Sequence, residues 1–196
     1  MIRFRIGGLP IRVSFWFPVM ILAMLWWGDE TFTLQCLAAS LLHECGHFAV
    51  MSAVHDVPKR VCFGVFGVRV ERNEGSVTGY LSQAAVSVGG PLGNVVCAML
   101  LYVCCGRCDG VWIHLTLGLF NLLPVEGLDG GEALYRLLCS FINERCAHRF
   151  VRWLSVMILL PVTSLGFFLL FQSGSNVSLM ILSLYLIFLL IFKEKH

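Results

Sequence analysis

Six apolar runs divide the chain, at roughly residues 13–28, 32–54, 81–105, 111–123, 149–171 and 177–192. A helix needs ~20 apolar residues to cross a bilayer, with ~17 tolerable. The first and last runs are slightly short, and 111–123 is clearly short. The expected fold is an all-α polytopic membrane protein with about six transmembrane helices. Composition agrees: the chain is 58% hydrophobic and 13% charged, where a soluble domain carries about 25% charged residues. No block of like charge marks a nucleic-acid tail, so nucleic acid is not an expected partner. The lipid bilayer is.

The charges give the runs a direction. With the N-terminus inside and the spans alternating, Arg107 is the single basic residue outside, so 13 of the 14 Lys and Arg lie inside (14 − 1). That asymmetry is what the positive-inside rule expects. Both termini are therefore expected in the cytoplasm. The first run ends in Trp26-Trp27, unlike the small residues of a signal-peptide cleavage site, and is expected to be a retained span.

Two segments break the helical pattern. Over residues 59–80, Val61, Phe63 and Val65 alternate with other residues, as do Val68 and Val70, before Asn73-Glu74-Gly75. Period-two alternation beside turn residues predicts short strands, here a small β element at the cytoplasmic face. After the fourth run comes Asn121-Leu-Leu-Pro124-Val-Glu-Gly127-Leu-Asp129-Gly130-Gly131. Proline and three glycines do not continue a regular helix. At membrane depth such backbone survives only when buried in protein or lining a water-filled cavity. The broken fourth span therefore points to a site. The whole chain, 1–196, reads as one integral-membrane domain with its core at about 32–140.

The second run contains His43-Glu44-Cys45-Gly46-His47, the pattern H-E-x-x-H. Residues four apart on a helix share a face, so two imidazoles can reach one zinc ion at ~2.0–2.1 Å each. Glu44, beside the first ligand, is placed to act as general base. At this chain's His and Glu frequencies the pattern arises by chance about 0.7% of the time, so alone it is not decisive. Its setting sharpens it. Each ionisable group inside a span costs roughly 2.5–3.5 kcal/mol on insertion scales, and three in five residues are hard to explain as a polar cluster joining helices.

A catalytic zinc takes three protein ligands and keeps one position open. Asp29, Glu30, Asp56 and Asp109 flank span ends. Asp129 lies in the glycine-rich break, which can carry its carboxylate toward the second span, with Glu126 as the competing choice. Asp129 also reads as an N-cap for a helix over 130–140. Gly89, Gly90 and Gly93 are expected to let the third span approach a neighbour closely. Asn94 is expected to bond a loop or a substrate backbone, and His114 to be a packed histidine. Of the nine cysteines, Cys105 and Cys108 have C-x-x-C spacing, but no second pair completes a metal site. The cysteines read as small buried hydrophobes.

Together, His43-Glu-Cys-Gly-His47, Gly89-Gly-Pro91-Leu-Gly93-Asn94 and Asn121-Leu-Leu-Pro124 running to Leu128-Asp129-Gly130-Gly131 resemble the site-2 protease family of intramembrane zinc metalloproteases. The early H-E-x-x-H is most similar to the small branch typified by the stage IV sporulation protein FB protease. Neither that branch's regulatory domain nor a PDZ insertion is expected from these 196 residues. The resemblance implies one zinc per chain on His43, His47 and Asp129, with Glu44 as catalytic acid and base. It places Asn121, Asn94, Pro124 and Gly130 in substrate-binding or supporting roles. It further implies a membrane-tethered protein substrate, regulatory membrane partners and a bacterial cell membrane. Two other readings stay open at this stage. One is a non-proteolytic zinc-binding membrane protein, such as a transporter or inactive scaffold. The other is a different membrane zinc protease family that shares only H-E-x-x-H.

Overall fold

The computed structural model describes residues 2–6, 9–55, 58–64, 67–72, 79–173 and 184. The chain divides into two compact units, Met1–Phe120 and Asn121–His196.

The first unit opens with two strands, β1 (Ile2–Ile6) and β2 (Leu9–Val13), which pair antiparallel. Helices α1 (Trp16–Trp27) and α2 (Glu30–Ala53) follow, then β3 (Pro58–Gly64) and β4 (Gly67–Arg72). The four strands form one sheet in the order β1-β2-β3-β4. β2 and β3 pair in parallel, Ile11 opposite Val61. Parallel neighbours require a crossover connection, and α1 with α2 provides it. The small β element expected over 59–80 is thus present in part, and it is larger than the sequence indicated. β1 and β2 lie where the sequence reading expected no strand. The expected turn at Asn73–Gly75 lies outside the described residues.

α2 starts cleanly because Asp29 caps it, its side chain accepting from the Phe32 amide at 2.7 Å. α3 (Tyr80–Cys105) and α4 (Asp109–Asn121) complete the unit. Their bounds fall within two residues of the expected third run and the start of the fourth.

α2 and α3 cross at glycines. A Cβ on Gly46 would run into the Gly89 carbonyl oxygen, and one on Gly89 would stand 2.8 Å from the Gly46 oxygen. A Cβ on Gly90 would overlap the His47 ring. These residues let two backbones approach to a distance that no larger residue permits. Gly89 and Gly90 therefore have the close-packing role expected of them. α4 approaches α3 in the same way: a Cβ on Gly118 would lie 3.0 Å from the Pro91 oxygen and 3.2 Å from Asn94 Cβ. Val111, His114 and Gly118, at helical spacing, are the buried residues of α4.

The second unit holds α5 (Asp129–Cys139) and α6 (Glu144–Ser173). The break before α5 is tightly turned. The Val125 amide donates to Leu123 O at 2.7 Å, the Leu128 amide donates to Val125 O at 3.0 Å, and Gly127 has φ +102. α6 carries the expected run 149–171, while the run 177–192 lies outside the described residues apart from Leu184. Two described helices are long and apolar enough to cross a membrane, Tyr80–Cys105 and the Glu144–Gly166 part of α6.

Substituting Gly89→Ala is expected to cost about 1–3 kcal/mol by overpacking the crossing. Gly79→Ala, whose Cβ would meet nothing within 4 Å, is expected to stay within ~0.5 kcal/mol. Unfolding of both variants in detergent checks the contrast.

Candidate metal centre

α2 places His43 and His47 one turn apart on the same face. Their rings meet edge to face at 80°, with centroids 4.9 Å apart. The two Nε2 atoms stand 3.2 Å apart. Two nitrogens each ~2.05 Å from a tetrahedral zinc are separated by about 3.3 Å. The pair is therefore spaced as ligands of one ion.

What lies behind each ring decides whether Nε2 can bind a metal. His47 Nδ1 donates to the carbonyl oxygen of Val86 on α3 at 2.8 Å. The Gly90 amide stands farther from the same nitrogen, at 3.3 Å; the shorter contact is to a group that only accepts, which favours the proton on Nδ1 and leaves the lone pair of the neutral ring on Nε2. Pro91 helps shape this part of α3. It has no amide for the Ser87 carbonyl, which opens the ladder one residue beyond Val86. Asn94 Nδ2 on α3 lies 3.0 Å from His43 Nδ1, and Asn94 Oδ1 lies 3.0 Å from His114 Nδ1 on α4. Asn94 is fully buried, and His43 and His114 are buried with it. Asn94 thus bonds two histidines rather than the loop or substrate backbone expected. His114 is more than packing, and sequence reasoning missed it. The available signal was its ionisable ring at expected membrane depth.

Glu44 is half-buried on the same turn as His43, while Cys45 is exposed. In the second unit, Asp129 is the first residue of α5, and Leu128 occupies the N-cap position with no side-chain cap bond. The N-cap reading of Asp129 is thereby corrected. Its negative charge still falls in the first turn, where the helix dipole favours an anion. Gly130 and Gly131 are required locally: a Cβ on the first would overlap Leu122 O, and on the second Val125 O. Pro124 is half-buried beside the fully buried Val125. Glu126, the competing ligand, is engaged elsewhere. Its carboxylate lies 3.4 Å from His148 Nε2, and its amide donates to Ser155 Oγ at 2.7 Å. His43 and His47 on α2 are two potential metal ligands of the first unit, and Asp129 is a third candidate at the start of α5 in the second unit.

No family model matches the sequence, and no curated protein matches it. Among solved structures, a site-2 protease from Methanocaldococcus jannaschii superposes with a TM-score of 0.69 at 19% identity, covering 100% of this chain and 95% of that one. The chain has the site-2 protease fold.

His47→Ala removes a ligand and should reduce metal content of the purified protein to background. Cys45→Ala, on the exposed side of the same turn, should leave it unchanged. Elemental analysis of the two variants beside wild type reads the difference.

Proposed function

We propose that the chain is a zinc-dependent intramembrane endopeptidase of the site-2 protease type, acting on a membrane-tethered protein. The observation that carries this reading is the His43–His47 pair, its Nε2 atoms 3.2 Å apart on one helix of a site-2 protease fold. In this reading His43, His47 and Asp129 hold one zinc ion. The donor set fits: two neutral imidazoles and a carboxylate are ordinary zinc ligands that leave a fourth position open. Zinc supplies a Lewis acid that polarises the scissile carbonyl and acidifies water.

The chain's own residues do the rest. Glu44 accepts the proton of the attacking water and returns it to the leaving amine. Asn121, Pro124 and Gly130 shape the broken segment against which substrate lies. His47 is six residues from the end of α2 at Ala53 (53 − 47), about 9 Å at helical rise. We place that end on the cytoplasmic side, with both termini, in a multi-pass protein of a bacterial cell membrane. A substrate helix must unwind before cleavage, since a helical peptide bond is shielded. An extended chain can then be held by strand addition. β3 is paired on both sides, so among the described residues of 59–80 β4 offers one sheet edge, and β1 offers the other.

Co-expression with membrane-tethered candidate substrates tests the reading. Wild type should cleave one of them, and Glu44→Gln should slow cleavage by about 10²–10⁴-fold with metal content retained. Full cleavage by Glu44→Gln would reject the role given to Glu44. A wild type that binds zinc and cleaves no tethered protein would favour a non-proteolytic zinc protein.

A further inference from the structure

The two imidazoles of α2 are not held alike. His47 Nδ1 has as its nearer partner the Val86 carbonyl at 2.8 Å, which can only accept, with the Gly90 amide at 3.3 Å. His43 faces an amide, which can do either. The Asn94 side chain fills the same space in two orientations related by a half-turn about its last bond, and oxygen and nitrogen exchange places between them. In the structure Nδ2 is the atom toward His43 and Oδ1 the atom toward His114, and an amide so turned donates to His43 Nδ1. The His43 proton is then forced onto Nε2, which blocks that nitrogen as a ligand. With Oδ1 toward His43, Nδ1–H donates to the amide oxygen and Nε2 carries the lone pair.

His114 selects between the two orientations, because its Nδ1 is 3.0 Å from the other end of the amide. If His114 carries its proton on Nε2, its Nδ1 accepts from Asn94 Nδ2–H, and Oδ1 is left for His43. If the proton sits on Nδ1, the amide is turned the wrong way. Asn94 is 0% exposed, and His43 and His114 are 7% and 6% exposed. Water is therefore poorly placed to substitute for any member of the chain.

We propose that Asn94 and His114 are positioning residues for the metal centre. When the metal binds, the amide is turned end for end from its orientation in the structure and forms a relay, His43 Nδ1–H to Asn94 Oδ1 and Asn94 Nδ2–H to His114 Nδ1, that holds His43 in the tautomer a metal needs. The proposal rests on the zinc-site reading above. It assigns a role to His114, on α4, which reaches the site only through Asn94. Outer partners of ligating histidines orient the ring and raise its basicity, and their loss commonly weakens metal binding about 10–100-fold.

The test is zinc affinity of the full-length protein in detergent, by competition with a chromophoric chelator, with cobalt spectra reporting ligand geometry. Asn94→Leu should weaken zinc about 10–100-fold. Asn94→Asp should stay close to wild type, because a carboxylate accepts from His43 Nδ1–H whatever His114 does. His114→Leu should weaken zinc in the native background yet have little effect in the Asn94→Asp background, since no amide remains to be oriented. The relay is overturned if Asn94→Asp weakens zinc as much as Asn94→Leu, or if His114→Leu costs the same in both backgrounds. Should Asn94→Leu fail to fold, the comparison of His114→Leu in the two backgrounds decides alone. Wild type that binds no zinc would strike the proposed function instead, a result distinct from failure of the relay.

Discussion

The close crossing of α2 and α3 is the constraint on which the rest of the first unit depends. Gly46 against Gly89 brings the two backbones together. Because the backbones are close, one helix can supply the ligands and the other can supply what stands behind them. The pairings follow an antiparallel register: Gly46 meets Gly89, His47 lies against Gly90, and His43 reaches Asn94. A larger residue at the crossing would separate α2 from α3. His47 would then lose its carbonyl acceptor and His43 its amide. Packing and metal chemistry are thus one problem here. The glycines contribute no functional group, yet they set the distance over which the functional groups act.

This arrangement accounts for the polar residues buried between α2, α3 and α4. An uncompensated histidine at bilayer depth is costly. Here each described ring nitrogen facing α3 has a hydrogen-bond partner, and the remaining nitrogens of His43 and His47 converge on one point. A polar group buried without a partner costs far more than one that is satisfied. The chain His43–Asn94–His114 spreads the polarity of the site across three helices while keeping every step within hydrogen-bond distance.

Much of this was legible in the sequence, for physical reasons. His43 and His47 are adjacent on a helix face by periodicity alone. Polar residues stand out against a hydrophobic background, so α2 and α3 were bounded closely and the glycine-rich break after α4 was visible. Other features were not read. β1 and β2 were not expected, although Ile2-Arg-Phe4-Arg-Ile6 alternates and Gly7-Gly8 is a strong hairpin dipeptide. Their partner β3 lies about fifty residues further along, and no local pattern announces a parallel pairing. Asp129 read as an N-cap because a carboxylate before a helix usually is one. A shift of one residue makes Leu128 the cap, and local propensity does not resolve that step. His114 looked isolated because its meaning comes from Asn94, twenty residues away and on another helix.

The central claim is a metal centre built from two imidazoles and one carboxylate. Zinc-edge X-ray absorption on the purified, unmodified protein tests it most directly. The account predicts about one zinc per chain with a first shell of nitrogen and oxygen only, two of the scatterers being imidazoles at ~2.0–2.1 Å. A shell containing sulfur at ~2.3 Å, or a folded protein that retains no zinc, would contradict it.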